Sequence, residues 1–234
     1  MPHFSRRRVA ALAALAATGA AVAAIATPSN ANANPAFTYD CAGTVVLAVD
    51  GTKGPTTPGS IDPNSPLNGI ADLYRDDYNT AVYHVAYPGG LLDGIAGWDE
   101  NYNDSVRIGK SNVRNVIREL ETKCDGTPIQ WKLLGFSQGA EIVGDVATEI
   151  DSDQTGGPAD LQDRTEVFLY ADPRQGIART ATELAPGVTF AGPRLPYQNV
   201  TVHSICAPGD LVCDPNGSLP GYFTLHVQGK GYQP

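Results

Sequence analysis

Three residue types, far apart in the chain, could together perform acyl chemistry. Ser137 lies in Gly135-Phe136-Ser137-Gln138-Gly139, a G-x-S-x-G pattern set between the apolar run 129–134 and the helical stretch 140–150. A serine at a sharp strand-to-helix turn has its hydroxyl lifted clear of the sheet. Glycine two positions to either side avoids the Cβ collisions such a turn imposes. The hydroxyl becomes nucleophilic only when a base takes its proton, and the base needs an acid to hold its tautomer and stabilise the cation that forms. A chain with 25 glycines can carry such a pattern by chance, so the rest of the chain must supply a base, an acid and oxyanion donors.

Only His203 and His226 follow Ser137. His203 falls inside the run 200–205, a strand whose side chains are expected to face packing. His226 lies beyond it, downstream of every acidic residue, and is the preferred base. Asp210, beside Pro208-Gly209 in the segment between Cys206 and Cys213, is the preferred acid, because a small closed loop holds a carboxylate in place. Asp172 is its rival, with a turn role before Pro173 as the plainer reading. Charge developing on a substrate oxygen needs fixed donors. The backbone N–H of Gln138 is one, and Thr52, through its N–H and its hydroxyl, is the second candidate. His84, inside a strand run, reads as a packed core histidine and receives no role.

The elements that must position these groups alternate. Strands are expected at 44–49, 80–87, 129–134, 166–170 and 200–205. Helices are expected at 66–79, with Leu67, Ile70, Leu73 and Tyr74 on one face, at 103–122, at 140–150 and, weakly, at 177–183. Continuous β-branched runs such as Val45-Val46-Leu47-Ala48-Val49 suit strands covered on both faces. The fold class is therefore α/β, a three-layer α/β/α sandwich around a mainly parallel sheet of about five strands. Residues 185–199 read as loop. Asp151-Ser152-Asp153 opens a calcium-like pattern, but Gln162 stands where the twelfth-position glutamate is required, so a solvated acidic loop is expected and no metal or other cofactor.

The amino terminus is read as a secretory signal over residues 1–33. Arg6-Arg7-Arg8 is followed by an uncharged, alanine-rich stretch and by Ala31-Asn32-Ala33, an A-x-A cleavage pattern. Sec and twin-arginine export both fit. The remainder, 34–234, is the size of one domain. Loss of the three arginines takes the formal charge from −9 to −12. Such acidity disfavours nucleic acid and anionic membrane as partners, and a monomer without stable membrane insertion is expected. Four cysteines in an exported chain favour two disulfides out of three pairings. If the near pair Cys206 and Cys213 closes a short loop and Cys41 with Cys124 a long one, chain entropy alone gives about 2.5 and about 4.6 kcal/mol.

Cys206-Ala-Pro-Gly-Asp210-Leu-Val-Cys213 resembles the C-x-x-G-D-x-x-C segment of the cutinase family. Gly135 to Ala140 is similar to the family's G-[YF]-S-Q-G-A turn, and Asp50-Gly51-Thr52 to its R-G-[ST] after the first strand. Related pieces occur in actinobacterial PE-PPE-type esterase domains and phage mycolyl-ester hydrolases. The resemblance, spanning roughly residues 41–226, implies a cutinase-like α/β hydrolase, a serine esterase with Ser137 as nucleophile, His226 as base, Asp210 as acid, and Thr52 with Gln138 at the oxyanion. It also implies the pairings Cys41 with Cys124 and Cys206 with Cys213, an ester substrate (lipid, polyester or mycolate), and a secreted or cell-envelope location in a bacterium of actinobacterial type. Two departures stand out. Asp50 replaces the family's arginine, and only eight residues follow His226 where the family continues into a further helix. The second motivates an alternative reading as a catalytically silent envelope-binding protein. An acyltransferase or peptidase with the same triad is a third.

Overall fold

A computed structural model describes residues 38–94 and 98–232. The proposed signal, 1–33, lies outside the described residues. Five strands, β1 (Thr44–Val49), β2 (Thr80–His84), β3 (Gln130–Phe136), β4 (Thr165–Tyr170) and β7 (Thr201–Ile205), form one sheet in the order β2-β1-β3-β4-β7. Every pairing in it is parallel. A two-stranded antiparallel ribbon, β5 (Glu183–Ala185) with β6 (Val188–Thr189), stands apart.

Strand side chains alternate between faces, and the core divides accordingly. Val45, Leu47, Val49, Leu133, Val167 and Leu169 pack on one side against α2 (Tyr102–Lys123) and α3 (Gln138–Asp151). Val46, Ala48, Leu134 and Phe136 pack on the other, against α1 (Leu67–Asp72) and the C-terminal segment through Cys213 and Tyr232. β1 is wholly buried from Val45 to Val49, which is why its sequence is an unbroken apolar run. The three-layer α/β sandwich with a mainly parallel five-stranded sheet is thus as the sequence indicates.

Several local expectations differ from the structure. The helix expected over 66–79 stops at Asp72 and continues as i→i+3 turns. Leu73 and Tyr78 are exposed, so of the expected face only Tyr74 packs on the core beyond Asp72, and Asp76 and Asp77 would oppose the dipole of a longer helix. The helix expected over 177–183 spans only Ile177–Thr180. Part of the stretch read as loop after it is the β5–β6 ribbon, turned at Gly187 with φ 79°. His203 is half exposed rather than packed inward; β7 is an edge strand, and the ring stacks on Phe168 and bonds to Glu166 at 2.9 Å. In addition, the Asp151 carboxylate is not simply solvated. It accepts the backbone N–H groups of Gln198, Asn199 and Val200.

One charged group anchors α3 to the loop after β4. Arg194 bonds Asp172, Asp145 and the Glu141 carbonyl, and its guanidinium lies where a Cβ on Gly144 would come within 2.5 Å. Arg174 and Lys110 also hold Asp145, while the Tyr102 hydroxyl donates to Glu141 at 2.5 Å. Burial pushes the Glu141 carboxyl up to about 7; the Tyr102 bond and Arg194 pull the other way, and Asp145 and Asp172 reinforce the rise. The disulfide Cys41–Cys124 ties the segment before β1 to the end of α2, and Cys206–Cys213 closes the short loop after β7.

Two outcomes follow from this packing. Glu141 holds a proton in the folded state that it loses when unfolded between about pH 4.5 and about 7. Folding is therefore favoured at the acid end of this window and weakened as pH rises through it. Urea midpoints measured across the window should fall, and Glu141→Gln should flatten the slope. Replacing Cys41 and Cys124 together by serine should cost on the order of 2–5 kcal/mol of unfolding free energy, read from the same titrations at fixed pH.

Candidate active site

The centre of the site is the junction between β3 and α3. Ser137 occupies it with φ 56° and ψ −120°, a conformation that side-chain-bearing residues rarely adopt and that persists only when the surroundings impose it. They do. A Cβ on Gly135 would lie 2.5 Å from the Gly139 carbonyl oxygen, and one on Gly139 would lie 1.9 Å from the Val49 carbonyl oxygen. The two glycines let α3 start directly against β1 and β3. The Ser137 N–H donates to Tyr170 O at 2.9 Å, so β4 fixes the turn from the other side.

His226 reaches this serine from the C-terminal segment. A short helix, α5 (Leu219–Gly221), runs on as a π-helical stretch from Tyr222 to Val227. Ser218 caps it by accepting from Gly221 N. The His226 ring is buried against Phe136 at 4.8 Å and Tyr222 at 5.3 Å, both stacked. Its Nε2 stands 2.9 Å from Ser137 Oγ and its Nδ1 stands 2.9 Å from Asp210 Oδ2.

Asp210 is fully buried in the Cys206–Cys213 loop. Its Oδ1 accepts Val212 N–H at 2.9 Å, and its Oδ2 accepts the Tyr232 hydroxyl at 2.6 Å as well as His226. Burial pushes this carboxyl up, but His226, Tyr232 and Val212 outweigh it and hold the group below its ordinary value. Tyr232, itself raised by burial and by Asp210, lies within the eight residues after His226. Its contact occupies the side of the acid for which the sequence offered no supporting element.

The two oxyanion candidates flank the serine. Gln138 is the first residue of α3, so its backbone N–H is among those a helix leaves without an internal acceptor. Its side chain is locked away, donating to Gly90 O at 2.8 Å and accepting from Ser105 Oγ at 3.3 Å. Thr52 lies in the turn after β1, which comes close to the nucleophile turn: a Cβ on Gly51 would be 3.2 Å from Ser137 Cβ. The other candidates lie in separate groups. Asp172 is buried, bonded to Arg194 and to the Arg174 N–H, and His203 pairs with Glu166. His84 bonds Asp50. Of the residues singled out in the sequence, Ser137, His226 and Asp210 meet in one hydrogen-bonded chain.

In a hydrogen-bonded chain of this kind the imidazole can take a proton from the serine hydroxyl while the aspartate holds its orientation and stabilises the imidazolium. Comparison with known proteins bears on family and fold. The family model described as Cutinase matches residues 40–231. A protein named Carboxylesterase Culp6 homolog, from Corynebacterium glutamicum, is 28% identical over 208 residues, covering 74% of this chain and 66% of the relative, just under two thirds of its length. Among solved structures, the catalytic core domain of acetyl xylan esterase from Trichoderma reesei superposes with a TM-score of 0.55 at 18% identity, over 82% of this chain and 95% of that one. A cutinase-like protein from Cryptococcus sp. gives 0.50 at 17% identity, over 84% and 95%. At these identities the structural likeness speaks for the fold. The family match spans most of the chain, and the protein belongs to the Cutinase family, a family of carboxylic-ester hydrolases.

Proposed function

We propose that this chain is an exported serine esterase in which Ser137 attacks the carbonyl carbon of a carboxylic ester. His226 Nε2 takes the hydroxyl proton as the bond forms, and Asp210 stabilises the resulting imidazolium through Nδ1. The tetrahedral oxyanion accepts hydrogen bonds from the N–H groups of Gln138 and Thr52. Collapse expels the alcohol, which takes the proton from His226 and leaves an acyl group on Ser137. Water then attacks, giving up a proton to His226, and the second tetrahedral species releases the acid and restores the serine. The observation that carries this reading is the unbroken Asp210–His226–Ser137 chain with 2.9 Å at each link.

The segment bearing His226 also turns Leu219, Phe223 and Val227 to solvent. That apolar edge favours an ester with an apolar part, in keeping with a lipid, polyester or mycolate substrate. The silent-binder reading rested on the missing C-terminal helix, and Tyr232 now supplies support to Asp210. Two disulfides suit an oxidising compartment. No helix among the described residues is long and apolar enough to cross a membrane. On this reading residues 1–33 are removed on export and 34–234 form one domain at the cell envelope or outside it.

Ser137→Ala should lower kcat on short p-nitrophenyl esters by on the order of 10³-fold or more; undiminished turnover would contradict the assignment. Tyr232→Phe removes a hydrogen bond to a charged group, worth about 1.5–3 kcal/mol. It should reduce kcat by about tenfold, with KM little changed, in the same assay.

A further inference from the structure

A buried pair next to the site has no part in the chemistry above. Asp50 ends the β1 run and is fully buried, and His84, at the end of neighbouring β2, is 6% exposed. In the β1–β2 register His84 is opposite Ala48. Asp50, two residues further on, therefore projects to the same face of the sheet. His84 Nδ1 lies 2.8 Å from Asp50 Oδ2. Asp50 Oδ1 and His84 Nε2 are both buried without a protein partner. Burying a carboxylate is costly, so a place that carries one calls for a reason.

The reason lies in what Asp50 is attached to. The buried Tyr87 hydroxyl donates to the carbonyl of Asp50 at 2.6 Å and to that of Gly51 at 2.9 Å. The Asp50 carbonyl also lies where a Cβ on Gly139 would be 2.4 Å away. Its Cβ is met by Gly54, whose own Cβ would stand 2.9 Å off. Lys53, next in the turn, holds φ 70°, with its N–H bonded to Gly89 O at 2.9 Å. The turn that carries Thr52 is thus a strained backbone segment. Its main chain is held through Tyr87 and Gly89, and its side chains reach out at Asp50, to His84, and at Lys53, whose ammonium lies 5.6 Å from the Trp98 ring centre.

We propose that Asp50 and His84 are a positioning pair for the reaction: their hydrogen bond sets the height of the Gly51–Thr52 turn relative to Ser137, and so aims the Thr52 N–H at the oxyanion. The pair acts through Thr52 and touches no reacting atom. This role rests on the reading of Ser137 as nucleophile and Thr52 as oxyanion donor. It predicts a loss confined to states that carry the tetrahedral oxygen, because a donor misplaced by a fraction of an ångström weakens transition-state binding and leaves ground-state contacts alone.

The test uses the full mature chain and three variants. Asp50→Leu/His84→Leu replaces both partners by apolar groups, a change that spares stability better than orphaning one of them. His84→Asn keeps an N–H donor close to the Nδ1 position, and His84→Leu removes it. For each, kcat and KM on a short p-nitrophenyl ester are measured, with inhibition by an alkylboronic acid, which forms a tetrahedral adduct, and by an unreactive ether analogue of the ester. The double variant should lose about ten- to a hundredfold in kcat and at least about tenfold in boronate affinity, with KM and ether inhibition within about twofold. His84→Asn should stay within about threefold of the parent. A double variant with parental kcat and boronate affinity overturns the proposal, as does equal weakening of boronate and ether. Should the double variant not fold, His84→Asn against His84→Leu gives the same readout. Ser137→Ala is run beside them. Turnover retained there overturns the esterase reading and this role with it, whereas an inactive Ser137→Ala beside a fully active double variant overturns this role alone.

Discussion

Ser137 is held in a backbone conformation that its own side chain disfavours, and the molecule is arranged to make that the only available one. With φ 56° between a buried strand and a helix, the residue stays put because Gly135 and Gly139 leave no room for any alternative spacing of β1, β3 and α3. The Val49 and Asp50 carbonyls press on Gly139 from β1, and Tyr170 takes the Ser137 N–H from β4. A side chain at either glycine forces the sheet and α3 apart. The strained turn thereby depends on three parallel strands being in register, which non-local packing, not the pentapeptide, provides.

From that turn the site is assembled by long-range closure. Asp210 is fixed by a disulfide loop, His226 by stacking on Phe136 and Tyr222, and their contact by the tail that brings Tyr232 beneath the carboxylate. Each holds a side chain that the central sheet does not itself carry. The charged group around Arg194 performs a different task on the far side of α3. It pins the helix that starts at the nucleophile to the loop after β4, and leaves Glu141 with a proton affinity near neutrality.

How much of this was legible depended on the kind of signal. The parallel sheet was, because β1 is covered on both faces and writes this into an unbroken apolar run, and because strand runs alternate with helical stretches along the chain. The residues that meet at Ser137 were legible through residue chemistry and chain order, since Asp210 sits between two cysteines and His226 follows every acid. What failed was decided by surroundings. The end of α1 depends on where the apolar face runs out, with Leu73 exposed. His203 faces outward because β7 is an edge, which no local pattern reveals. Tyr232 and the Asp50–His84 pair are contacts across 22 and 34 residues of sequence, and a lone tyrosine or histidine carries no mark of its partner. Asp172 looked like an acid and is a buried carboxyl bonded to Arg194 instead.

The central claim is that one serine carries the acyl group. Treating the folded, oxidised protein with a fluorophosphonate at increasing molar ratio, while following esterase activity and mapping the adduct by peptide mass, tests it directly. The account predicts one equivalent bound, all of it on Ser137, with activity lost in proportion. Full inactivation with the adduct on another residue, or full activity with Ser137 labelled, would contradict it.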